Sequence, residues 1–299
     1  MLELLKKCRL CPKNCGINRL EGELGFCKSS SSVKVAKASL HLWEEPCISG
    51  LNGSGTVFFS NCNLHCVFCQ NHDISQKLVG KEISIEDLSN IFLAQQQKGA
   101  HNINLVTPTH YVPQIIEALK ISKQKGLVVP VLYNTNSYEN EATIKALNGY
   151  IDVYLADLKY YKNEYAEKYS NAKEYFYYAS NSIDEMFKQV GEVKFDSDGI
   201  IQKGLIVRHL MLPGLLFDTK KIIDHVYRKY GDSVFISLMN QYTPLYKANL
   251  YPEINKKLKR KHYDSIIEYC LRLGIKNAFI QDSGTASEIY VPDFDLSEF

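Results

Sequence analysis

The sequence predicts an α/β protein: a parallel sheet curled into a partial or full (β/α) barrel, preceded by a small cysteine-rich N-terminal segment. Three observations predict it. From about residue 55 onward, short β-branched or aromatic runs alternate with amphipathic stretches. The runs are apolar almost throughout, as in strands covered on both faces by helices, and crossovers of one hand curl such a sheet. Eight of the nine cysteines fall within the first 69 residues. At 299 residues and 45% hydrophobic, the chain can bury a sizeable core. Single barrels run to about 250 residues. The simplest division is therefore residues 1–50 as a cysteine-rich metal-binding segment and residues 51–299 as the barrel domain.

The elements follow in order. Residues 1–50 are rich in cysteine and turn formers and close on the loop-like run Glu44-Glu45-Pro46-Cys47-Ile48-Ser49-Gly50. Thr56–Ser60 is the first strand. Ser84, with Asp87 three residues on, opens a helix close to a capping box. Asn102–Val106 is a strand and Val112–Lys125 a helix. Val128–Tyr133 is the third strand, with Pro130 tolerated near its start. A helix at about 140–148 precedes the strand Ile151–Asp157. Further strands are expected at Leu205–Leu212, Val234–Met239 and Asn277–Gln281, with helices at about 218–230 and 260–273.

With 35 basic and 33 acidic residues, the net charge of +2 gives no bulk pull toward nucleic acid or an anionic membrane. No run reaches the ~18 continuous apolar residues of a membrane span. The opening Met1–Lys7 has neither a long apolar region nor a small-residue cleavage site. A cytoplasmic protein is expected, and in a reducing compartment clustered cysteines point to metal, not to disulfides.

Directly after the first strand comes Cys62-Asn63-Leu64-His65-Cys66-Val67-Phe68-Cys69. Three thiolates on one short loop can bind three irons of a cubane and leave the fourth iron open. An open position lets a metal centre take a substrate. The alternatives are a structural zinc knuckle or free thiols. Zinc normally takes four ligands, and His65, between two of the cysteines, is strained as a fourth. A second set, Cys8, Cys11, Cys15 and Cys27, opens with a C-x-x-C pair and fits closed four-thiolate coordination. Zinc, a single iron and a second four-iron cluster all suit that spacing. Cys47 and Cys270 read as buried, inert thiols.

The triplet, with an aromatic just before its last cysteine, matches the signature of the radical S-adenosylmethionine (SAM) superfamily, which the chain resembles. Within it, the chain looks like the glycyl-radical-enzyme activases related to pyruvate formate-lyase activating enzyme. That likeness rests on Gly53–Phe59 leading into the cysteine loop, on Val153–Lys159 ending in Asp-Leu-Lys, and on Val207–Gly214 with its Arg and final Pro-Gly. The resemblance implies that a [4Fe-4S] cluster on Cys62, Cys66 and Cys69 chelates SAM. One-electron reduction then gives methionine and a 5′-deoxyadenosyl radical, which takes a hydrogen atom from the substrate. The activases meet the SAM amino group with Gly-Gly-Glu after the second strand; here Thr107-Pro108-Thr109-His110 stands there, offering the hydroxyls of Thr107 and Thr109. Asn134 and Asn136 fall where the activases have Asp-Thr-Asn-Gly. Asp157, Lys159 and Arg208 match, with Lys159 and Arg208 expected near SAM. At the carboxyl ends of barrel strands such residues face the ligand crevice; elsewhere Asp157 and Lys159 form only a weak surface pair and Arg208 snorkels outward. His110 reads as a helix N-terminal residue and Trp43 as a packing residue.

The implied partners are a one-electron donor such as flavodoxin or ferredoxin and a glycyl-radical enzyme whose glycine loses hydrogen. A radical SAM enzyme acting on a peptide or small molecule is the second expectation. A non-catalytic metal-binding protein on the same fold is the third. No nucleic-acid or membrane partner is expected.

Overall fold

In the computed structural model, which describes residues 1–281 and 294, the chain first folds two short 3-10 turns, Leu2–Lys7 and Arg19–Glu21, around the first four cysteines. The part of the expected barrel domain beyond residue 281, Phe294 apart, lies outside the described residues. Next come β1 (Val33–His41), α1 (Pro46–Ser49), β2 (Ser54–Phe59), α2 (His72–Gln76) and β3 (Lys81–Ile83). Helix α3 (Ile85–Gln97) begins at a true capping box: Ser84 Oγ accepts from the Asp87 amide, and the Asp87 carboxylate accepts from the Ser84 amide. The chain continues through β4 (Ile103–Val106), α4 (Val112–Gln124), β5 (Val131–Thr135), α5 (Glu141–Ala146), β6 (Val153–Asp157), α6 (Asn163–Ser170) and α7 (Tyr175–Val190). It closes with β7 (Lys194–Phe195), β8 (Ile201–Leu210), α8 (Leu216–Tyr230), β9 (Phe235–Met239), α9 (Arg260–Leu273) and β10 (Ala278–Ile280).

Strands β2, β4, β5, β6, β8, β9 and β10 lie side by side in that order, all parallel. At one edge β1 pairs antiparallel with β2, and β3 with β1. The short β7 pairs antiparallel with β8. Among the described residues the sheet runs from β3 to β10 without closing, so of the two expected forms the barrel is partial. The segment set apart as residues 1–50 thus contributes a nine-residue strand to the same sheet.

Side chains alternate along each strand with period two, and the core divides accordingly. Tyr133, Tyr154, Ala156, Leu205 and Val207 join the large cluster under the helices. Leu132, Val153, Leu155 and Ile206 join Ile48 in a second, smaller cluster on the opposite face. Two residues beyond Leu132, Leu155 and Ile206, on that same inner face, stand Asn134, Asp157 and Arg208. Their strands are in register, with Asn134 opposite Leu155 and Asp157 opposite Arg208. The inner face is therefore an apolar floor with a polar rim at the strands' carboxyl ends, the position at which such sheets bind ligands.

Candidate active site

Above that rim lies a cavity of about 640 Å³, lined by Cys62, Cys66, Cys69, Asn134, Asn136, Asp157, Lys159 and Arg208. The cysteine loop leaves β2 through Asn61, whose φ of 74° turns the chain sharply. Its amide side chain is fixed by donating to Ser29 Oγ at 2.9 Å and Tyr111 Oη at 3.4 Å. The loop then rests on α6, with the Val67 amide donating to the Tyr169 carbonyl at 2.9 Å. Each sulfur has a polar neighbour. Cys62 Sγ accepts from the Leu64 amide at 3.3 Å, Cys66 Sγ from Ser170 Oγ at 3.0 Å, and Cys69 Sγ lies 3.3 Å from Ser75 Oγ. Burial pushes all three thiols up, Cys69 to about 11, and a bound metal reverses that preference by its own charge.

The donor set fits a cubane with one open iron. The three sulfurs are soft ligands facing one cavity, hydrogen-bonded as thiolates would be. Among the described residues no three His, Cys, Asp or Glu side chains converge on a single ion; a cubane instead spreads its thiolates over separate irons.

Opposite the sulfurs runs a charged network. Lys159 Nζ donates to Asp157 Oδ2 at 2.7 Å, and Arg208 Nε donates to Asp157 Oδ1 at 3.0 Å. Arg208 continues through Nη2 to Asn134 Oδ1 at 2.5 Å and through Nη1 to Glu44 Oε2 at 3.1 Å. Glu44 Oε1 accepts from Asn104 and Asn134 at 3.0 and 3.3 Å. Burial opposes the charges of Asp157, Lys159 and Arg208, yet their partners prevail. Lys159 and Arg208 hold Asp157 below the usual carboxylate range, and Asp157 raises both Lys159 and Arg208. These are partly buried, mutually paired charges, the arrangement in which removing one member is costly.

The expected site residues divide. Thr107, Asn134, Asn136, Asp157, Lys159 and Arg208 all line the cavity with the cysteine triplet. Thr107 carries a φ of 59°, a conformation a β-branched residue rarely adopts. Asn136 Nδ2 reaches Asn63 Oδ1 at 2.8 Å and Cys62 Sγ at 3.7 Å, tying the end of β5 to the loop. Thr109 is not on the cavity wall. It is fully buried and its hydroxyl donates to Glu139 Oε1 at 2.7 Å, because a 3-10 turn over Thr109–Tyr111 rotates it inward. His110 is likewise buried, its Nε2 donating to the Ser60 carbonyl at 2.8 Å. Cys8, Cys11, Cys15 and Cys27 face a separate cleft. Cys47 and Cys270 are buried free thiols.

Sequence reasoning missed Glu44, whose side-chain partners all come from distant strands, and Gln241 and Gln281, which also line the cavity. It also misread Trp43, which is 66% exposed and lines the cavity instead of packing inside.

A family model described as the radical SAM superfamily matches residues 56–201. The uncharacterized protein MJ0674 of Methanocaldococcus jannaschii is 34% identical over 275 residues, covering 89% of this chain and 74% of that protein. The uncharacterized protein MJ0808 of the same organism is 24% identical over 170 residues, 51% of this chain and 49% of its own length. Among solved structures, anSMEcpe with bound AdoMet and Kp18Cys peptide superposes with a TM-score of 0.53 at 13% identity, covering 74% of this chain and 60% of that one. Streptococcus suis SuiB bound to S-adenosylmethionine gives 0.50 at 13% identity, covering 77% and 52%. These structural likenesses are of fold, and the chain spans only about half to three-fifths of those proteins.

Proposed function

Because residues 56–201 match the radical SAM superfamily model, we propose that the chain cleaves S-adenosylmethionine reductively and abstracts a hydrogen atom from a peptide or protein substrate. One observation carries the reading: three cysteines on one short loop, each sulfur beside a polar group, open onto the same cavity as a paired acid–base network. Cys62, Cys66 and Cys69 would hold the [4Fe-4S] cluster. Bound there, the cluster supplies the electron that splits SAM and so generates the hydrogen-abstracting species.

The chain's own residues bind and orient. The methionyl end of SAM carries an ammonium and a carboxylate. Glu44 and Asp157 offer acceptors for the first, and Lys159 and Arg208 donors for the second. Asn134 and Asn136 supply neutral amides on the same rim, and Thr107 a hydroxyl. Since Asp157 and Arg208 are already paired, they stand oriented before the ligand arrives, which reduces the ordering cost of binding.

An extended substrate is favoured by the cavity's wall, where Trp43 stands largely exposed, and by the fold shared with a neighbour whose structure contains a bound peptide. The activase-like landmarks around Asp157–Lys159 and Arg208 favour, within that class, a glycine of a partner glycyl-radical enzyme. The electron would come from a one-electron donor of flavodoxin or ferredoxin type.

Anaerobic reconstitution with iron and sulfide, reduction, and addition of SAM tests the reading. 5′-Deoxyadenosine is expected from the wild-type chain and not from Cys66→Ala. Wild-type protein that holds a four-iron cluster yet releases none with any candidate peptide present would overturn it.

A further inference from the structure

The four cysteines of the N-terminal segment take no part in the cavity above. Cys8, Cys11, Cys15 and Cys27 line a small cleft of their own, and the backbone is shaped to gather them there. The Cys8 amide donates to the Ile17 carbonyl and the Gly16 amide to the Cys8 carbonyl, both at 2.8 Å, closing the loop that carries Cys11 and Cys15. Gly25 lets the two segments approach closely: a Cβ there would lie 2.8 Å from Cys15 Sγ. The next amide, of Phe26, donates to that same sulfur at 3.4 Å. Thr143 Oγ1 and Asn140 Nδ2 then bind the Leu10 and Arg9 carbonyls at 2.7 Å, fixing the loop to the barrel.

Two further observations concern what the cleft holds. Arg19, on its wall, is 1% exposed. Its guanidinium donates to the carbonyls of Ser30 and His110 and lies 3.9 Å from Cys8 Sγ, with no carboxylate partner among the described residues. A buried cation without a counter-charge is strongly unfavourable, and carbonyl dipoles do not supply one. Four thiolates around a metal centre carry the negative charge that is missing. On the same wall the ring of His110, 2% exposed, spends its Nε2–H on Ser60 and leaves Nδ1, a buried lone pair, without a partner.

All four sulfur-bearing residues border one cleft, which abuts the loop ascribed to the first cubane. A centre in that position can exchange electrons with its neighbour only if it is itself redox-active, as an iron–sulfur cluster is and zinc is not. We propose that Cys8, Cys11, Cys15 and Cys27 bind a second, fully ligated four-iron cluster, with Arg19 as its buried counter-charge. It adjoins the first site. The Phe26 ring, one residue before Cys27, stacks on His65 with centroids 4.2 Å apart, and His65 lies between Cys62 and Cys66. The proposal does not depend on SAM cleavage.

The full-length variant with Cys62→Ser, Cys66→Ser and Cys69→Ser, reconstituted anaerobically with ferrous iron and sulfide, tests it. About half the wild-type iron and labile sulfide is expected, in equal amounts, with a cubane signal in electron paramagnetic resonance after dithionite reduction. Reduced wild-type protein, holding both clusters, should show spin–spin broadening absent from this variant. Zinc without sulfide in a variant that still melts cooperatively overturns the proposal. Should the variant not fold, the wild type decides: twice the iron and sulfide of one cubane supports a second cluster, and one cubane plus zinc sinks it. A chain that holds both clusters but makes no 5′-deoxyadenosine would leave this inference standing and remove only the catalytic reading.

Discussion

Glu139 Oε1 accepts from the hydroxyls of Thr135, Thr109 and Tyr133 at 2.6, 2.7 and 3.1 Å, while Oε2 has no partner, all of it fully buried. Burial raises its carboxyl to about 7 despite those three donors. The folded state therefore holds a proton that the unfolded chain, titrating near the ordinary 4.5, releases. The sign follows: the protonated side chain's contribution is fully present below about 4.5 and is lost as pH rises through 7, a change of roughly 3 kcal/mol. Glu139→Gln keeps an oxygen for the three donors and removes the ionisation. Its melting temperature should gain on the wild type between pH 5 and pH 8; a constant difference across that range would contradict this account. At this scale the sequence was informative wherever chemistry sat on short spacing. Cys62, Cys66 and Cys69 fall within eight residues, and Asp157 and Lys159 lie two apart. Glu44 was illegible because Asn104, Asn134 and Arg208 stand 60, 90 and 164 residues from it.

Strands and helices with a clean local pattern were legible to within a few residues. The capping box at Ser84 and the helices Val112–Gln124, Leu216–Tyr230 and Arg260–Leu273 are the clearest. Strand β5 starts later than expected, at Val131 rather than Val128, because Pro130 lacks an amide and offers only its carbonyl, which accepts from Ile103. Helix α7 was not foreseen. It opens on Tyr175-Phe176-Tyr177-Tyr178, poor helix formers, after Glu174 in a left-handed conformation without a side-chain cap. Packing supplies what propensity lacks: Tyr175 is fully buried, and its hydroxyl accepts from the Lys159 amide at 3.0 Å and donates to the Asp157 carbonyl at 2.9 Å. Gly55 in β2 marks a close approach of sheet and helix layer. A Cβ there would meet Gln95 Cβ at 2.7 Å and the Asn102 carbonyl oxygen at 2.9 Å. Gly55→Ala should cost about 1–3 kcal/mol as overpacking, read as a lower urea midpoint with an unchanged slope. An unchanged midpoint would show that α3 yields freely.

For the molecule as a whole, β1 joins the residues expected to form an N-terminal segment to the barrel. Val33 and Val35 lie in the main core with Val57 and Phe59, and β1 pairs along the length of β2. A chain beginning at residue 51 would expose that edge, a template for aggregation, and lose part of the core. It should be insoluble or lack a cooperative melt; a soluble, cooperatively melting product would instead make residues 1–50 a separable domain. No helix among the described residues is long and apolar enough to cross a membrane. By itself the sequence determined the α/β class, the mostly parallel sheet, the two cysteine sets and the strand ends that carry Asn134, Asp157 and Arg208, because periodicity and short motifs are local properties of the chain. Only the tertiary structure decided that the sheet stays open among the described residues, that Glu44 completes the charged network, that Thr109 turns inward to Glu139, and that Phe26 meets His65 between the two cysteine sets. Those outcomes depend on segments far apart in sequence meeting at one end of the sheet, and no local pattern encodes which distant partner a buried charge or ring will find.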